Sequence, residues 1–173
     1  MKLRGHLLCW LHRLSIGLIL GAVVMGYAAD YSETAIGTHV WAGFLFAVIM
    51  GFTFAMTVFY FAGLGVGMRQ AAAGRADLAK YLERAAALRK RLALPLGLAL
   101  VTLMAAVILG GGSQTRTLPD WPHHLFSLGA LVSTIYASWK SERSIRANES
   151  LVSRLEAVLE GIERPAGRAA PGT

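Results

Sequence analysis

The sequence predicts an all-α integral membrane protein: a four-helix bundle with cytoplasmic helical extensions. Three observations carry that expectation. Hydrophobic residues make up 55% of the 173-residue chain and charged residues 16%, with a mean hydropathy of +0.51, where soluble domains carry about 25% charge. Four apolar segments, at about 14–29, 40–66, 92–111 and 121–139, lie near the length of about 20 residues that a bilayer-crossing helix needs. The basic residues alternate around those segments: of the 17, only Arg116 falls on the side opposite the others. By the positive-inside rule both termini are then cytoplasmic. The same distribution excludes nucleic acid as the reason for the net charge of +7, because the cations flank apolar segments. The partner so implied is the lipid bilayer. A composition rich in alanine, glycine and arginine suggests a bacterial inner membrane.

Segment one, LSIGLILGAVVMGYAA, carries no charge. Its basic leader and small terminal residues also fit a signal peptide cleaved near Ala28 or Ala29. The leader is itself apolar through Leu7, Leu8, Trp10 and Leu11, and so reads as an interfacial helix feeding a retained span. Gly17 and Gly21 form a small-xxx-small pair suited to close helix packing. Segment two, Val40–Val66, is also uncharged. Its GLGVG ending at 63–67 follows a membrane helix rather than a strand, and is read as loosening that end or allowing tight packing.

The connection that follows is rich in helix formers and predicts a cytoplasmic helix over about 70–91, with Gly67 and Gly74 as interruptions. Leu78, Tyr81, Leu82, Ala85 and Leu88 give it one apolar stripe. Pro95 is placed in the first turn of segment three. Segment four is the least apolar, with Ser127, Ser133, Thr134, Tyr136 and Ser138. It is expected to continue as one long helix through 140–162, where Ile145, Asn148, Val152, Leu155, Leu159 and Ile162 make a heptad seam. Packing of that seam on the 78–88 stripe is the economical expectation; a homodimer or a partner membrane protein docked through the 145–162 helix is the alternative. Residues 164–173 lack apolar periodicity and are expected to be disordered. No internal repeat is evident, and the segments do not read as inverted halves. The whole of 1–163 forms one membrane domain.

Soluble catalytic motifs are missing: there is no phosphate loop, GxSxG or HExxH. The single cysteine, Cys9, excludes an intramolecular disulfide. None of the four apolar cores contains Asp, Glu, Lys or Arg. That argues against proton-coupled transport, a voltage sensor and a charge-lined channel.

Histidines remain. His6 and His12 are placed on the cytoplasmic side near the headgroups. His39 opens segment two in GTHVWAGF, and His123 and His124 open segment four in DWPHHLF. Both segments run inward from the outer face, so the three imidazoles stand at similar depth. An interfacial role explains them, alongside the aromatic belt of Trp41, Trp121 and Tyr31. So does haem b ligation by His39 and one of His123 and His124, with Phe44, Phe46 and Phe52 as ring contacts and Arg116 for a propionate. A copper or zinc site drawing on all three histidines and on Asp30, Glu33 or Asp120 is a further reading. The layout, with histidines on spans two and four, is similar in plan to small membrane cytochromes of the b type. The stretch HVWAGFLF resembles small four-span proteins in which a histidine precedes W-x-G. The expected functions are, in order, a non-enzymatic accessory or structural membrane subunit, a haem b-binding electron carrier, and a small transporter or channel.

Overall fold

A computed structural model describes residues 2–28 and 32–163, and every element in it is helical. Helix α1 spans Lys2–Ala28, α2 Glu33–Ala71, α3 Ala79–Gln114 and α4 Trp121–Glu163, with one 3₁₀ turn at Ala76–Leu78. Ser32 caps α2, its hydroxyl accepting from the Ala35 amide at 3.2 Å. Gly74, at φ +75°, supplies the left-handed residue that turns α2 back into α3. Arg116, at φ 57°, does the same in the α3–α4 turn. The 164–173 tail, Asp30, Tyr31 and the Ala29 cleavage position lie outside the described residues.

The helices form a four-helix bundle in which α1 packs on α2 and α4, α2 on α3, and α3 most extensively on α4. Its core holds Ile19 from α1, Phe46, Met50 and Phe54 from α2, Ala99 and Leu103 from α3, and Ala130 and Ala137 from α4. The helices run past the expected span boundaries. The predicted 70–91 helix and segment three are one continuous element, α3, preceded by the turn at Gly74; Gly67 interrupts nothing. Pro95 therefore lies inside α3 and is buried, rather than in a first turn. Gly17, Gly21, Gly63 and Gly67 face open space within 4 Å, so none serves close packing within the chain.

Three helical stretches are long and apolar enough to cross a membrane: Gly5–Ala28, Glu33–Ala71 and Ala76–Gln114. The expectation of four apolar spans is met by three on composition, because α4 is diluted by polar residues. Those residues point inward. Ser133, Thr134, Ser138, Ser141, Ser144 and Asn148 are all buried, while Leu125, Leu128, Val132, Ile135 and Trp139 are exposed. The amphipathic order is inverted relative to a soluble bundle, where the apolar stripe faces the core.

At one end of the bundle a second core cluster joins α3 and α4 to the end of α2 through Met68. Leu78 and Tyr81 pack with Leu151, Val152 and Leu155, flanked by Leu82, Ala85 and Leu159. The heptad seam is thus covered within the chain as far as Leu159. Asn148 of that seam is also buried.

The bundle has an internal two-fold that the sequence reading lacks. Hairpin α1–α2 repeats as hairpin α3–α4 at an offset of 84 residues. The stretch AVVMG at 22–26 recurs as AVILG at 106–110. Core positions recur in register: Leu8 with Leu92, Ile19 with Leu103, Phe46 with Ala130, Phe61 with Ile145, Met68 with Val152. Met50 and Thr134, 84 residues apart, meet each other, the threonine hydroxyl donating to the Met50 sulfur at 3.3 Å. A residue that touches its own repeat mate sits on the two-fold axis. Both hairpins have the same orientation, so the repeat is parallel rather than inverted.

Candidate functional site

The clearest consequence of the repeat lies at the opposite end from the second core cluster. His39 in the second turn of α2 and His123 in the first turn of α4 are also 84 residues apart, and their ring centroids stand 6.1 Å apart at an interplanar angle of 76°. Like Met50 and Thr134, they meet on the axis. Each is held in the same way. The His39 Nδ1 donates to the Ala22 carbonyl at 3.0 Å, and the His123 Nδ1 to the Ala106 carbonyl at 2.9 Å. A carbonyl oxygen only accepts, so in the neutral ring the hydrogen sits on Nδ1 and Nε2 presents its lone pair. Metal-ligating histidines are commonly fixed this way, with the second nitrogen tied to a carbonyl or carboxylate.

Each ring also lies against a glycine of the preceding helix. A Cβ at Gly26 would come within 2.7 Å of the His39 Cε1, and a Cβ at Gly110 within 2.8 Å of the His123 Cε1. Any side chain at either position collides with the imidazole. The glycines and carbonyls recur at the same spacing in both halves, so the cradle is duplicated together with its histidine.

The neighbouring residues sort themselves differently from the sequence expectation. His124 turns away from the axis and stacks on Tyr27 of α1 at 5.2 Å, closing the α1–α4 side of the site. Its ring centroid is 5.8 Å from that of His123. Phe44 and Phe52 point outward and are exposed, which removes them as ring contacts; Phe46 is in the core. Arg116 is exposed in the α3–α4 turn. Asp120 is hydrogen-bonded by Ser113, and Glu33 is exposed. Among the described residues no group of three or more His, Cys, Asp and Glu side chains gathers as a metal site. Asp30 lies outside the described residues, and among the rest neither Asp120 nor Glu33 joins the three histidines.

His12 is a further correction. It is not on the surface but fully buried between three helices. Its Nε2 lies 3.0 Å from the Thr57 hydroxyl and its Nδ1 3.2 Å from the Ser138 hydroxyl. Thr57 already donates to the Thr53 carbonyl at 2.8 Å. Its oxygen must therefore accept from His12, which makes His12 the opposite tautomer, donating through Nε2 and accepting from Ser138 at Nδ1. Both nitrogens are engaged, so His12 is a structural cross-link of α1, α2 and α4. Its repeat mate is Leu96.

The chain matches no protein-family model, no curated protein and no solved structure.

Proposed function

We propose that the chain is a four-span protein of the bacterial inner membrane, with both termini cytoplasmic, whose paired imidazoles hold one metal centre near the outer surface. The single observation carrying the metal reading is that His39 and His123, one from each hairpin, both keep Nε2 free while Nδ1 is anchored to a carbonyl. A histidine that merely decorates an interface needs neither a matched anchor nor a matched glycine cradle.

The fourth span is supported by the direction of its side chains: the polar face is buried and the apolar face is exposed. From Trp121 to Trp139 the helix rises about 27 Å at about 1.5 Å per residue, close to the hydrocarbon thickness of about 30 Å. Cations gather beside tryptophans at one end of the bundle, with Arg143 over Trp139 at 4.2 Å and Arg13 over Trp10 at 5.7 Å, as at a cytoplasmic interface. Helix α1 contributes Leu8, Cys9 and Ile19 to the core, which supports it as a retained span rather than a leader.

Two imidazoles suit either haem iron or a bare ion. For haem b, the spacing of the rings would suit a ligand pair, but the Tyr27–His124 stack occupies the α1–α4 side, where part of a macrocycle would lie. A role as an accessory subunit is compatible with such a centre; transport is not favoured by any charged group within the spans. The test is the metal and haem content of the purified full chain. One metal centre per chain, lost in both His39→Ala and His123→Ala and kept in His124→Ala, is the expected result. Equal content in all four proteins contradicts the proposal.

A further inference from the structure

Building on that reading, we propose that the His39–His123 pair takes a single closed-shell monovalent cation of the Cu(I) type, bound directly and two-coordinate, without a macrocycle. Four features of the site point the same way.

Ligand number is the first. The site offers two imidazoles, since His124 is stacked on Tyr27 and no third ligating side chain joins them among the described residues. Zinc is satisfied by four ligands, and magnesium and calcium by six or more oxygens. A d¹⁰ monovalent ion such as Cu(I) accepts two.

Spacing is the second. A metal–nitrogen bond to imidazole is about 2.0 Å. With about 1.1 Å from ring nitrogen to centroid, a linear N–metal–N unit separates the centroids by about 6.2 Å, and a tetrahedral angle by about 5 Å. The centroid separation of 6.1 Å leaves room for a linear unit once both Nε2 atoms face the ion, which is the orientation the proposal adds.

Charge is the third. Both ligands are neutral, Asp120 is occupied by Ser113, and Glu33 is exposed. Among the described residues no carboxylate bonds either ring, so the ion has no direct counter-charge in a half-buried site. The Born cost grows with the square of the charge, so a monovalent ion pays about a quarter of what a divalent one does.

Access is the fourth. The rings rest on the Gly26 and Gly110 backbones and the Tyr27–His124 stack closes one side. A bare ion is small enough to leave these contacts in place, whereas a porphyrin needs room on every side of the iron, and the stack occupies one of them.

The experiment uses the full chain in detergent micelles carrying Cys9→Ser, which removes the one thiol able to bind Cu(I) elsewhere. Copper is kept as Cu(I) with ascorbate and titrated against bicinchoninate. The expected result is one Cu(I) per chain, at least 100-fold weaker in His39→Ala and His123→Ala and within a few-fold of the parent in His124→Ala. Ag(I) should displace it, and a 100-fold excess of Zn(II) should not. Helical content by circular dichroism checks that the alanine variants fold. His39→Met, which retains a soft ligand, should recover Cu(I) binding relative to His39→Ala. Displacement by stoichiometric Zn(II), or failure of His39→Met to bind better than His39→Ala, overturns the inference. A Soret band after growth with ample haem, with no Cu(I) bound, overturns it while leaving the proposed metal centre standing. Absence of both metal and haem removes both.

Discussion

Gly110→Ala perturbs the site by the smallest covalent change available, and its consequence follows from three distances. The new Cβ would sit 2.8 Å from Cε1 and 2.9 Å from Nδ1 of His123. Ordinary contact begins at 3.4 Å, so the imidazole must retreat by 0.6 Å. It is not free to do so, because Nδ1 is tied to the Ala106 carbonyl at 2.9 Å. Either the ring keeps its hydrogen bond and the α3–α4 packing opens, at an overpacking cost of about 1–3 kcal/mol, or the ring moves and forfeits the bond, worth about 1 kcal/mol. In the second case the ligand loses its orientation, and loss of such an anchoring partner weakens metal binding by about 10- to 100-fold. Gly129→Ala is the internal control. Its Cβ would meet only the Thr102 Cγ2, at 4.0 Å, so it should be neutral or mildly stabilising through helix propensity. The assay is paired thermal unfolding and metal titration of the two variants in the same detergent. If Gly110→Ala matches Gly129→Ala in both, the glycine cradle is not a constraint and the reasoning from it fails.

Three further outcomes follow from the packing. His12→Leu removes both hydrogen bonds that cross-link α1 to α2 and α4 but places a leucine where the other hairpin has Leu96. It should cost about 1–2 kcal/mol in unfolding and leave metal binding unchanged; a folded protein that has lost the His39–His123 site would contradict the structural role. Leu78→Ala empties a side-chain position that is 1% exposed in the second core cluster. A loss of about 2–5 kcal/mol should appear as faster proteolysis after Arg84 or Arg154, with the metal titration unmoved. A reporter fused after Thr115, in the α3–α4 turn, should be active only outside the cytoplasm; cytoplasmic activity inverts the topology.

Much of the fold is legible in the sequence because long apolar helices are written in composition. The apolar segments, the one-sided cations and the α4 seam all follow from transfer energetics that single residues report. Three features are not legible that way. The polar residues of α4 lower its hydropathy, and only the packing shows that Ser133, Thr134 and Ser138 face inward. His12 sits in the basic leader and reads as a headgroup residue until α1 is seen to carry it between Thr57 and Ser138. The repeat is hidden because the two halves keep burial and volume rather than identity: His12 pairs with Leu96 and Met50 with Thr134. A signal was nevertheless present. AVVMG and AVILG stand 13 residues before the last residue of GTH and the first histidine of PHH. That common interval links each glycine to its histidine. The choice between His123 and His124 needed the structure, since adjacent helical residues diverge by about 100° and only the partners of each ring reveal which one faces the axis.

Histidine ¹⁵N NMR of the metal-free full chain tests the central claim most directly, since that claim is that two imidazoles from the two hairpins both reserve Nε2 for a ligand. The arrangement predicts the Nδ1–H form for His39 and His123, each shifting at Nε2 when metal is added, and the Nε2–H form for His12, unchanged by metal. An Nε2–H form at His39 or His123, or a metal response confined to other histidines, would contradict it.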